Sequence, residues 1–338
     1  MDIRKTSTNI LDFNLEDILI RSQIINKSIE DKINIDNYNL IKNKIQSIDN
    51  KDKNESEIYL KNIYEQYSKR INEYKKKLYK PTNNEFNLSI NYLLDSNDSK
   101  IKYNSLCFLS TIMNENDDIF DNNIIEFCFL LEISDIMLDT FYNMPSLINN
   151  NEYENKSTLH VVFGETISQL TLSFLSSEIL INSLDKIDKI YKKIENEQNA
   201  DLRLSKSIEL LINIYSLFDS DVCLSGFTNL LTKDFDSDEK NKILNNNIIL
   251  KKSQGLLNTI ILGFLLSKQE LNNINYYIEI SQLISQSYRI IRYNQKHFYN
   301  QVIYNVEKII NILEKNKNFN IYFKCLLNLI LEKIDINV

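Results

Sequence analysis

The chain has 338 residues, a net charge of −7 and 43% hydrophobic residues, which is enough apolar material for a substantial core. Four Gly and two Pro exclude a turn-rich or all-β fold and point to long uninterrupted helices. The negative balance excludes the electrostatic footprint of a nucleic-acid or anionic-membrane binder. Cys107, Cys128, Cys223 and Cys325 lie far apart inside apolar runs and read as core thiols, and with two histidines no zinc site is expected. No run reaches the ~18 consecutive apolar residues of a membrane span, so a soluble protein without a transmembrane segment is expected.

In chain order, the opening MDIRKTSTNILDFNLEDILIRS lacks the apolar stretch of a signal peptide. Its Asp2, Asp12, Glu16 and Asp17 fit poorly with an acid-poor mitochondrial presequence. Residues 1–58 read as one amphipathic helix (Leu15, Ile18, Leu19, Ile25) and a polar linker, with loop expected over Leu40–Glu57. Residues 59–90 carry Ile63, Tyr67, Ile71, Tyr74 and Leu78 on one helical face. The basic runs Lys69-Arg70 and Lys75-Lys76-Lys77 read as the solvated side of that helix, which Pro81 ends.

The informative stretch is Ile124 to Leu180, two apolar helical runs around a polar insert. The second run opens with Lys156-Ser-Thr-Leu-His-Val-Val-Phe-Gly-Glu165. This decapeptide resembles the Lys-Pro-Thr-x-His-x-x-Phe-Gly-Glu segment of the trans-isoprenyl diphosphate synthases. Similar matches run along residues 91–338. Tyr92-Leu-Leu-Asp-Ser-Asn-Asp-Ser-Lys-Ile-Lys102 resembles the turn that holds the isopentenyl diphosphate, with Lys100 and Lys102 in place of two arginines. Lys252-Ser-Gln-Gly-Leu-Leu257 resembles the Lys-Thr-x-x-Leu-Phe motif whose lysine meets the allylic diphosphate. Gly164, Gly226, Gly255 and Gly263 all fall in helical contexts of that family, where close packing is expected. The resemblance implies an all-α, isoprenoid-synthase-type helical bundle of about ten long helices around a central cavity.

In that family two Asp-Asp-x-x-Asp motifs hold the Mg²⁺ ions that neutralise the leaving diphosphate, since magnesium requires hard oxygen ligands. Here the first becomes Ser134-Asp-Ile-Met-Leu-Asp139. Aligned on the shared Asp-Ile-Met, the ligand positions are Ser134 and Leu138, and Asp135 and Asp139 stand about 100° further round the helix. They read as vestigial metal ligands or as solvated or capping acids. The second motif, expected after Ser287-Tyr-Arg-Ile-Ile291, is Arg292-Tyr-Asn-Gln-Lys296, positive where the ions would sit. Arg292 and Lys296 are expected as internal countercharges in the vacated metal site, or as direct ligands of a diphosphate. Asn97 and Asp98 replace a Gly-Gly pair, Tyr153 and Glu154 an Arg-Arg pair, and the region after Lys296 is shortened.

With five parts altered, the chain is expected to be a non-catalytic subunit of a heteromeric trans-polyprenyl diphosphate synthase, similar in kind to the second subunit of decaprenyl and solanesyl synthases. No cofactor is expected, with Mg²⁺ only if the first motif is functional. The expected partner is a catalytic polyprenyl diphosphate synthase subunit, or a second copy in a homodimer. Ile167, Leu170 and Phe174, with Ile179, form the expected interface stripe on the helix that starts at Gly164, edged by small Ser and Thr residues. The location implied is cytoplasmic, or mitochondrial if the product is the ubiquinone side chain. Two alternatives stay open: a divergent active prenyltransferase relying on Asp135, Asp139 and Lys252, and a non-enzymatic scaffold or binding protein.

Overall fold

The longest described helix, Ser237–Leu265, runs through the middle of an all-α bundle. The structure, a computed structural model, describes residues 35–47, 65, 69, 73, 85–95, 103–113, 121–153, 156–197, 199–215 and 237–335. The described α-helices are α1 (Ile35–Ser47), α2 (Glu85–Asp95), α3 (Tyr103–Ile112), α4 (Asn122–Tyr142), α5 (Leu159–Phe163), α6 (Glu165–Tyr191), α7 (Ala200–Tyr215), α8 (Ser237–Leu265), α9 (Ile274–Arg292), α10 (Tyr299–Asn316) and α11 (Ile321–Asp335). Between α4 and α5 a short antiparallel hairpin pairs β1 (Glu152–Tyr153) with β2 (Lys156–Ser157).

α8 packs against α9, α3, α7 and α4. Leu256, Leu257, Ile260, Ile261, Leu262, Phe264 and Leu265 are all but fully buried there, each burial stabilising by about 1.5–3 kcal/mol. A helix surrounded on all sides is apolar all round. By length and composition Ile248–Leu265 could cross a membrane. That window is 72% buried among its neighbours, as a central core helix should be.

The loop expected over Leu40–Glu57 is also corrected. Its first part belongs to α1, where Tyr38, Ile41 and Ile45 are buried at helical spacing. Three apolar residues on one face suffice to dock α1 on α10 and α11, and the remaining polar letters face water. Lys44 adds an ion pair with Glu314 on α10 at 3.0 Å. Of the helix expected within 59–90, Glu65, Lys69 and Glu73 are described, helical and exposed. The amphipathic helix expected around Leu15–Ile25 lies outside the described residues.

The glycines divide. A Cβ on Gly263 would collide with the Thr111 hydroxyl and stand 2.8 Å from the Phe108 carbonyl, so α3 and α8 meet as closely as expected there. A Cβ on Gly255 would meet nothing within 4 Å. Gly164 is a junction between α5 and α6 at φ 81°, a conformation that favours glycine. Close packing is not the reason for either of these two, and Gly226 lies outside the described residues.

Candidate functional site

Two contacts set the register of α4. Asp121 caps its start, accepting from the Asn123 backbone N–H at 3.0 Å. Farther along, the buried carboxylate of Glu132 accepts from the Ser105 N–H at 3.0 Å and the Ser105 hydroxyl at 2.6 Å, satisfying a donor at the start of α3. A lone acid inside the apolar run FCFLLEIS was the sequence signal for such a buried cap, and it was missed. Burial, reinforced by this carboxylate, holds the Cys107 and Cys128 thiols well above their ordinary range, so they are inert core groups.

One turn beyond Glu132, Asp135 and Asp139 follow each other by four residues on α4 and converge on Lys252 of α8. The Lys252 ammonium donates to Asp135 Oδ2 at 3.0 Å and to Asp139 Oδ2 at 2.7 Å. The lysine side chain is 4% exposed, the two carboxylates 27% and 15%. These are paired acids rather than solvated or capping ones, and Asp135 lines a cleft. Ser134 and Leu138, which stand at the aligned ligand positions, line the same cleft.

This cleft lies between α4, α6, α7 and α8, bordered also by Ser176, Ile179, Tyr215 and Gly255. Its water-accessible interior is about 30 Å³, room for about two waters. Lys251 also borders the cleft and donates to the Asn213 carbonyl on α7 at 3.2 Å.

α9 supplies the electrostatic surroundings of the pair. Burial raises the Tyr288 hydroxyl pKa, with Lys252 pulling it down, Asp135 pushing it up and Arg292 pulling it down. Arg292, at the end of α9, donates from Nε to Tyr288 Oη at 3.1 Å and stacks its guanidinium over that ring at 5.6 Å. The expectation that Arg292 and Lys296 fill the vacated metal site is thus met differently, since the cation between the acids is Lys252. Lys296 is exposed. Sequence reasoning also passed over Arg289, 3% exposed, whose Nε and Nη2 are buried without a hydrogen-bond partner and whose pKa burial lowers.

Lys100 and Lys102 lie outside the described residues. The start of their segment is described: the Tyr92 hydroxyl donates to the Ser157 carbonyl at 2.7 Å, and Lys156 donates back to the Tyr92 carbonyl at 3.0 Å. On α6, Leu170 and Phe174 are exposed and Ile167 is half-buried, whereas Ile179 is in the core. Ile181 and Leu184 continue the exposed stripe instead, because spacings of four and three keep residues 170, 174, 177, 181 and 184 on one face.

No family model matches the sequence, and no curated protein matches it. Solved structures do. An FPP/GFPP synthase from Zymomonas mobilis superposes with a TM-score of 0.59 at 12% identity, covering 82% of this chain and 99% of that one. A geranyltransferase from Legionella pneumophila gives 0.55 at 12% identity, covering 82% and 97%. An isoprenoid synthase family member from Thermotoga neapolitana gives 0.52 at 12% identity, covering 78% and 97%. The chain has the isoprenoid-synthase fold.

The metal that such a fold implies does not suit the residues in the cleft. Magnesium takes near-octahedral oxygen ligation and keeps several waters. Here Asp135 and Asp139 already share the buried ammonium of Lys252. Among the described residues no group of three or more His, Cys, Asp or Glu side chains gathers at a metal-binding spacing.

Proposed function

We propose that the chain is a non-catalytic subunit of a heteromeric trans-polyprenyl diphosphate synthase in isoprenoid biosynthesis, with the ubiquinone side chain among the candidate products. The observation that carries this reading is the pairing of Lys252 with both Asp135 and Asp139. Ionising an allylic diphosphate calls for divalent cations at carboxylates, and here the place between the two carboxylates is already taken by a buried ammonium that offsets one of their charges. The exposed stripe of Leu170, Phe174, Ile181 and Leu184 on α6 supports the partner part of the proposal. Four large apolar side chains along one exposed helix face suit a catalytic synthase subunit, whose active site and product channel this chain would hold in shape.

A divergent active prenyltransferase is the second reading, favoured by the meeting of Asp135, Asp139 and Lys252 in one cleft. Elongation assays with labelled isopentenyl diphosphate and an allylic diphosphate separate the two. The subunit reading expects no turnover by the purified chain and increased turnover when it joins its co-purifying synthase. Steady turnover by the chain alone overturns it in favour of the second reading.

A further inference from the structure

We propose that Lys252 is a built-in cation, standing between Asp135 and Asp139 in place of a divalent metal ion and tying α4 to α8 across the cleft. The inference rests on the misfit between magnesium and the cleft, and the existence of a synthase partner does not enter it.

Both Oδ2 atoms converge on a single nitrogen, at 3.0 and 2.7 Å, the arrangement two carboxylates adopt around one shared cation. The lysine side chain is 4% exposed, so its charge is compensated locally by these acids rather than by water. A magnesium ion binds oxygen at about 2.0–2.1 Å. Placed between the same oxygens, it would face at contact distance the ammonium of a side chain only 4% exposed, where like charges repel more strongly than in bulk water. The acids therefore persist as the anionic half of an internal tie, and the cation they hold is covalently part of the chain.

The test is a manganese titration of the full chain, followed by the EPR signal of the free ion, with thermal unfolding in magnesium as a second readout. The wild-type chain is expected to leave manganese free into the millimolar range, with a Tm indifferent to magnesium. Lys252→Met removes the internal cation from between the two acids. This variant should bind one manganese ion about tenfold or more tighter than wild type and regain Tm on adding it. Asp135→Asn and Asp139→Asn added to it should abolish both effects. A wild-type site that binds manganese and is lost on Asp135→Asn/Asp139→Asn overturns the proposal, and this arm decides even if Lys252→Met does not fold. A folded Lys252→Met that ignores manganese overturns it as well. Because no arm measures turnover or association, the tie and the subunit reading fail separately.

Discussion

Lys252 Nζ stands 2.7 Å from Asp139 Oδ2, joining residues 113 apart in the chain, with 4% of the lysine side chain exposed. Breaking one side of a buried pair costs more than the pair contributes, because the remaining charge stays desolvated. Asp135→Asn with Asp139→Asn is therefore expected to destabilise the fold by about 3 kcal/mol. Surface acids would change it by less than about 0.5 kcal/mol. Urea unfolding of the double variant distinguishes the two.

Gly263 and Gly255 lie eight residues apart on α8 and are expected to respond oppositely to alanine. At Gly263 the added methyl meets Thr111 and the Phe108 backbone, and overpacking of this kind costs about 1–3 kcal/mol. At Gly255 the space is open, so the gain in helix propensity should stabilise by about 0.5–1 kcal/mol. Paired denaturant midpoints test this, and a Gly263→Ala variant as stable as wild type would show that α3 and α8 do not approach as described.

Phe174 is 42% exposed and meets Phe86 edge-on, with ring centroids 5.4 Å apart. Phe174→Glu is expected to leave the chain helical by circular dichroism, losing about 0.5–1.5 kcal/mol with the aromatic contact. Association should fall by several kcal/mol, because the carboxylate would be buried at the centre of the interface. Full association of this variant in analytical ultracentrifugation, or a synthase that still co-purifies with it, sinks the α6 interface.

His160 gives a pH dependence of definite sign. Burial lowers its pKa from the ordinary 6.5, with Glu165 acting the other way. Protonation is then easier in the unfolded chain, so this histidine's contribution is present in full above 6.5 and is lost as the pH falls from there through the lowered folded-state value. His160→Gln should flatten the difference in stability between about pH 7.5 and pH 5.5 relative to wild type. An unchanged difference in urea midpoints removes His160 from the linkage.

Apolar periodicity and the scarcity of glycine and proline made the helical class legible, and the decapeptide at Lys156 indicated the bundle. These signals are local, written within one or two helical turns. Lys252, Asp135 and Asp139 were named together from the sequence as parts of one possible active site, but not as an ion-paired triad, since no spacing along the chain encodes a contact between residues over a hundred positions apart. Arg289 was passed over, and α1 read as linker, for a related reason: burial comes from what packs against a residue, and neighbouring letters do not record it.

By itself, then, the sequence determined a long-helix protein with an incomplete set of acidic ligands. Only the tertiary structure decided that the two remaining acids face inward and already hold a cation. Lys252 reaches the two acids only once α8 is packed beside α4, and that packing depends on close approaches such as Gly263 against Phe108. The charge balance of the site is thus a property of helix docking, with Lys252 brought to its acids by the same core that buries it.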